Sequence, residues 1–253
     1  MEENREREWR EEDVKITTPF LKKLDNFWYH YKWHTIFAVF ILIFVTVCTL
    51  QTCNKESYDT YIMYATGKEL NRNEKDGSVP EYNEALTSLN KVTGDCNGDG
   101  KASVSLITLF VPSEKEIADA LDNNGDKEIN HTLIMSDKET LRDRMLYSEY
   151  YLVFISPSVY EEYKTVDNLE IFAPIASYAP AGAELEYYSD RAVKLSSCDL
   201  YSLPGICKMP DDTLICLRLS SVVADKFGGS KNAENFKNAE SALRAVLSYK
   251  KKS

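Results

Sequence analysis

The run "HTIFAVFILIFVTVCTLQTC", residues 34–53, constrains this chain more than any other feature. It carries no charge and is dense in Ile, Phe, Val and Leu. With Trp33 it makes 21 residues, and a helix rising about 1.5 Å per residue would spread them over roughly 31 Å, the thickness of a bilayer core. A helix packed into a soluble core keeps a polar face; this run has none. The preceding "NFWYHYKW" puts aromatic rings where a membrane interface takes them. Residues 34–53 are therefore read as a single transmembrane helix in contact with the lipid bilayer. Two other readings use the same residues. A cleaved signal peptide would need a short basic start, whereas 33 residues of mixed charge come first. A lipoprotein signal would use "LQTC" with Cys53 lipidated, and Thr52 suits it poorly. Lys22, Lys23 and Lys32 precede the run and Lys55 stands after it. That bias favours a cytoplasmic charged tail (1–33) and an extracytoplasmic domain (54–253) at the cell membrane.

Net charge is −10. The tail holds seven Lys/Arg against eight Asp/Glu, leaving 23 against 32 for residues 54–253. No basic face offsets this acidity, so nucleic acid is excluded as a partner. Cys198 and Cys207 bracket a Pro-Gly turn in "CDLYSLPGIC" and are read either as a local disulfide or as two free thiols. No C-x-x-C pair occurs, and His30, His34 and His131 have no zinc-ligand spacing.

Beyond the apolar run, strand-like and helix-like stretches alternate. "YDTYIMYA", "ASVSLITLFV", "YYLVFI" and "TLICLRLS" read as strands. "VPEYNEALTSLNKV" places Tyr82, Leu86, Leu89 and Val92 on one helical face, with Pro80 in the first turn. "SEKE" at Ser113 and "SDKE" at Ser136 read as capping boxes opening helices over 114–121 and 137–148. Ser156 and Pro157 open another, and "NAENFKNAESALRAVLSY" closes the chain with Phe236, Ala239, Leu243, Val246 and Leu247 on one stripe. The predicted class is α/β with a mostly parallel sheet joined by crossover helices.

The stretch "TGDCNGDGKASVS" fits the start of an EF-hand loop. Asp95, Asn97 and Asp99 stand at positions 1, 3 and 5, Gly100 at the turn, Lys101 at the carbonyl position and Ser103 at position 9. Leu106 replaces the bidentate Glu at position 12. The residues are read either as a weak calcium site or as a polar helix-to-strand turn, which Asn-Gly and Asp-Gly favour by themselves. "LDNNGDKEIN" is a degenerate version with Lys127 where the glycine belongs, and reads as a turn.

The order of anchor, strand, helix, "D-x-N-G-D-G-K", strand, capped helix and "YYLVFISPSVYEEY" resembles a group of uncharacterised bacterial membrane-anchored proteins. These in turn resemble the first lobe of type II periplasmic (extracellular solute-) binding proteins, most closely over residues 58–164. The resemblance implies a two-lobed α/β domain closing over a small ligand, but residues 165–212 are too short for a complete second lobe, so a reduced one is expected. Ligands of open α/β sheets gather beyond the carboxyl ends of strands. Thr66, Ser156 and Ser158 lie there, with Tyr178 in "SYAPAG" as a crossing or loop residue, and these four are the candidate ligand contacts. For Ser156, plain helix capping is the competing reading. No G-x-S-x-G, P-loop, H-E-x-x-H or dinucleotide fingerprint appears, so no enzyme is expected. Two functions remain: a membrane-anchored solute-binding-like module, and a docking subunit working with a membrane transporter or envelope protein.

Overall fold

The computed structural model of the chain describes residues 19–53, 58–70, 80–98, 100–123, 130–166, 168–219 and 222–251. The charged tail before Pro19, Asp99, and Asn124 and Asp126 of the degenerate loop lie outside them. The chain divides into two compact units, Met1–Ser57 and Tyr58–Ser253.

The first unit contains α1, Pro19–Cys53. Within it Phe27–Leu50 is long and apolar enough to cross a membrane, and none of it is buried inside the protein. A signal sequence has the same length and composition. The helix begins well before the charge-free run because the aromatic stretch continues it: Phe27 and Tyr31, one turn apart, stack at 5.2 Å. The hydroxyls of Thr46 and Thr49 are satisfied within the helix, Thr46 donating to the Leu42 carbonyl at 2.7 Å and Thr49 to that of Val45 at 2.9 Å. A helix in hydrocarbon needs that closure.

The second unit runs β1 (Thr60–Thr66), α2 (Pro80–Thr93), β2 (Val104–Phe110), α3 (Glu114–Asn123), α4 (His131–Tyr147), β3 (Leu152–Ile155), α5 (Pro157–Tyr163), β4 (Thr165–Val166), β5 (Leu169–Glu170), β6 (Tyr187–Ser189), β7 (Ala192–Lys194), β8 (Leu214–Leu217) and α6 (Val222–Ser248). Six strands form one sheet in the order β2-β1-β3-β8-β7-β6. Side chains alternate across it as strand geometry requires. Ile62, Tyr64, Leu152, Phe154, Ile215 and Leu217 face one core with Leu89 of α2 and Leu243 and Val246 of α6. Met63, Ala65, Val153, Ile155 and Cys216 face the other, with Leu141 and Met145 of α4 and Val159 of α5. Central strands buried on both faces explain why "LVFI" and "LICL" read as unbroken apolar runs.

The sheet is mixed rather than mostly parallel. β2, β1 and β3 are parallel, whereas β8, β7 and β6 join antiparallel to β3 and to one another. Parallel neighbours need a crossover of a dozen or more residues, usually helical. After α5 the described chain instead turns back through short hairpins and three 3-10 turns, Leu195–Ser197, Asp199–Ser202 and Ile206–Lys208. Most of residues 165–212 thereby extends the same sheet or packs on its face; only β4 and β5 pair separately. Gly205 seats the last turn on α2. Its φ is +74°, and a Cβ there would overlap the backbone of Ala85 and Glu81.

The Ser113 capping box forms as expected: Ser113 N–H donates to Glu116 Oε2 at 2.7 Å and Glu116 N–H to Ser113 Oγ at 3.2 Å. The Ser136 box does not open a helix. α4 starts at His131, capped by Asn130, whose side chain accepts from Leu133 N–H at 3.0 Å. An earlier strong cap takes the start, and Ser136 falls inside the helix. The apolar reading of "TLICLRLS" also hid a buried cation. Arg218 is only 1% exposed; it donates to the carbonyls of Ser148, Tyr150 and Leu219 and lies 4.7 Å from the Tyr151 ring centre. Burial lowers its pKa to about 10, and the ring and carbonyls compensate for the missing water.

Candidate functional site

β1 and β3 are neighbours, and the chain leaves β1 for the α2 face and β3 for the α5 face. That divergence is the topological switch point where open α/β sheets bind ligands. Thr66 and Ser156 meet there: Ser156 N–H donates to the Ala65 carbonyl at 3.1 Å. The protein's own groups occupy both. Thr66 is buried and its hydroxyl donates to Tyr64 Oη at 2.7 Å, with the Lys68 carbonyl at 3.1 Å. Burial pushes the Tyr64 phenol up to about 12. Ser156 Oγ is 3.4 Å from the Val159 N–H and 2.9 Å from Ser158 Oγ, so the two hydroxyls pair at the start of a helix of seven residues. Glu116 closes the space above, its carboxylate so close to Gly67 that a Cβ there would overlap it.

Tyr178 belongs elsewhere. Its hydroxyl donates to Glu240 Oε1 of α6 at 2.7 Å, and Arg244 sits 4.8 Å from its ring centre. Burial and this bond to Glu240 raise its pKa to about 12. The contacts of Tyr178 fasten residues 174–180 to α6, while Thr66, Ser156 and Ser158 cluster at the strand ends.

The 95–103 loop is organised by a residue outside it. Asp59, fully buried just before β1, accepts from Cys96 N–H at 2.9 Å and Asn97 N–H at 2.8 Å on one oxygen. Its other oxygen accepts from Ser103 N–H at 2.7 Å and Ser103 Oγ at 3.0 Å. Asp95 closes the loop itself, accepting from Gly98 N–H at 2.6 Å and Gly100 N–H at 2.8 Å. Both glycines take positive φ, +80° and +84°. Leu106, at the twelfth position, is buried in β2. Ser103 turns to Asp59, so a cation in this loop would draw on Asp95, Asn97, the Lys101 carbonyl and water, short of the six to eight oxygens calcium takes without Asp99 and further donors. Among the described residues no group of three His, Cys, Asp or Glu is arranged to hold a metal.

A cavity of about 350 Å³ opens one strand further out, lined by Glu69, Leu70, Tyr82, Thr108, Phe110, Leu133 and Asp137. It straddles the free edge of β2. The bonds from Asp59 N–H to the Ser103 carbonyl, 2.8 Å, and from Val111 N–H to the Thr66 carbonyl, 2.9 Å, show that odd-numbered residues of β2 face β1. Even-numbered ones therefore point their backbone groups outward. Side chains cap three of those groups. Asn90 Oδ1 accepts from Val104 N–H at 2.7 Å, Tyr82 Oη donates to the Leu106 carbonyl at 2.9 Å, and Asp137 Oδ2 accepts from Phe110 N–H at 2.8 Å. Such capping blunts an edge that would otherwise recruit another strand. Thr108 lies between the caps, the one exposed residue of a strand otherwise buried or half-buried, its outward N–H and C=O without a partner among the described residues. None of these residues is named as a site by the sequence: Tyr82 reads only as a helix-face ring and Asp137 as part of the Ser136 capping box.

Cys198 and Cys207 are separate thiols, the first buried and the second exposed. No protein-family model matches the sequence, and neither a curated protein nor a solved structure matches it.

Proposed function

We propose that the chain is a membrane-anchored ligand-capture module without catalytic activity. In this reading α1 stays in the bilayer with its N-terminus cytoplasmic, and residues 58–253 form an extracytoplasmic domain. The domain follows the plan of a solute-binding first lobe, and residues 165–212, expected to form a reduced second lobe, instead mostly extend the sheet of the first or pack on it. The observation that carries the reading is the cavity at the β2 edge. It combines apolar walls with a few convergent polar groups, the usual composition of a small-molecule site, and its volume is at the small end of such sites. The switch point, occupied by Glu116, Thr66 and the serine pair, is left a structural role. In the 95–103 loop, calcium would act as a stabiliser. Millimolar calcium should then raise the melting temperature of the full-length protein, and Asp99→Ala should remove that rise.

The test of capture is a melting screen of the full-length protein in detergent against small molecules of differing charge, run beside Thr108→Trp, which fills the cavity. A shift in the parent that disappears in the filled variant supports the reading. No shift with any compound, together with co-purification of a transporter or envelope protein, would establish the docking-subunit function instead.

A further inference from the structure

We propose that the β2-edge cavity takes a small organic cation, a primary amine or guanidinium on a short carbon chain. This rests on the capture reading above and names the ligand class for that same site. Two carboxylates line the cavity, Glu69 and Asp137, and among the described residues no Lys or Arg does. Neither carboxylate meets a cationic side chain within ion-pair distance among the described residues. Lys68, next to Glu69 in sequence, is committed elsewhere, its Nζ donating to the Lys208 carbonyl at 2.8 Å.

The Asp137 carboxylate is held in place before any ligand arrives, because Oδ2 accepts from Phe110 N–H at 2.8 Å and leaves Oδ1 for another donor. Tyr82 is held likewise by its bond to the Leu106 carbonyl. The rings of Tyr82 and Phe110 offer π faces that attract cations. The outward Thr108 carbonyl is a third acceptor, and Leu70 and Leu133 give a carbon chain apolar wall. An anion would face two negative groups with no compensating charge among the described residues. Calcium would find two carboxylates, one already bonded to backbone, where it takes six to eight oxygens. An ammonium with three donors, or a guanidinium with five, matches this set of acceptors.

The test is isothermal titration of the full-length protein in detergent with n-butylamine and agmatine, against n-butanol and butyrate as neutral and anionic counterparts. Both amines should bind, with butanol and butyrate at least about tenfold weaker, and added salt should weaken the amines. Glu69→Gln with Asp137→Asn should cost the amines at least about tenfold in affinity with near-ultraviolet circular dichroism unchanged. If Asp137→Asn disturbs folding, Glu69→Gln alone serves, since Glu69 is exposed and makes no hydrogen bond or ion pair among the described residues. Equal binding of butanol or butyrate, amine binding unaffected by both substitutions, or no amine binding at millimolar concentration overturns the proposal. So does binding of an extended lysine-containing peptide in place of any free amine. If another compound in the melting screen still shifts the parent and not Thr108→Trp, only the cationic class falls and capture stands. If amines bind Thr108→Trp as well as the parent, the site itself is wrong.

Discussion

Replacing Asp59 with alanine should cost the α/β unit about 3–5 kcal/mol. The wild-type carboxylate satisfies three backbone N–H groups and one hydroxyl at 2.7–3.0 Å. Hydrogen bonds to a charged group contribute roughly 1.5–3 kcal/mol each, so a simple sum overshoots. Asn97 is exposed and Cys96 and Ser103 are half-buried, so water recovers part of the loss at the loop. What water cannot repair is the void at the fully buried Asp59 and the loss of the post that holds the loop beside β1. Asp59→Asn keeps the volume but turns an amide N–H₂ towards N–H donors, and should cost about 2–3 kcal/mol. Both sit within the roughly 5–15 kcal/mol available to a domain, so the variants should remain folded but weakened. Urea unfolding must be followed by near-ultraviolet tyrosine circular dichroism, because the three tryptophans, Trp9, Trp28 and Trp33, all precede the α/β unit. Amide exchange at Cys96, Asn97 and Ser103 should accelerate in parallel. A loss under about 1 kcal/mol with unchanged exchange at Ser103 would refute the idea that Asp59 organises the loop.

Gly205→Ala should destabilise by about 2–4 kcal/mol, since it adds left-handed strain to a clash with the α2 backbone; a chemical-denaturation midpoint reads it, and an unchanged midpoint would mean the turn can move off α2. Burial, followed by repulsion from Asp211, raises the Asp212 carboxyl above its ordinary 3.8. Its ionisation therefore opposes folding, a deficit absent well below pH 3.8 and present once pH passes the folded value. Asp212→Asn should melt higher than the parent at pH 7 and no differently at strongly acid pH. Burial also pushes the Cys198 thiol up to about 11 and that of Cys216 well above the usual range, whereas Cys207 is exposed. Maleimide at neutral pH should modify Cys207 and spare Cys198 and Cys216 until the protein is unfolded, read by peptide mass mapping. Applied to intact cells, labelling of Cys207 by an impermeant maleimide should report an extracytoplasmic α/β unit; protection until lysis would reverse that orientation.

Where a pattern is carried by a run of residues, it is legible in the chain. The α2 stripe and the Phe236–Leu247 face express one helical periodicity over several turns, and the membrane-length helix and the double-sided strands are unbroken apolar runs. The sense of the second half of the sheet is not legible, because short strands such as Ala192–Lys194 look alike whichever way they run. Their direction follows from turns that "SCDLYSLPGICKMPDD" encodes only weakly. The start of α4 lies at His131 and not after Ser136 because two local caps compete and the stronger one lies upstream. Asp59 and Arg218 were missed for a different reason: each is a single polar residue in an apolar stretch, and its meaning depends on carbonyls or amides brought from more than 35 residues away. The cavity is of the same kind, assembled from β2, the segment after β1, and two helices that meet only at the sheet edge.

Hydrogen exchange of the full-length protein with and without saturating agmatine most directly tests capture at the β2 edge. The Thr108 amide, which points outward with no partner among the described residues, should exchange quickly in the free protein and slow when agmatine is bound, while amides at the switch point around Thr66 and Ser156 stay as they were. Protection that appears around Ser156 while Thr108 is unchanged would contradict capture at that edge.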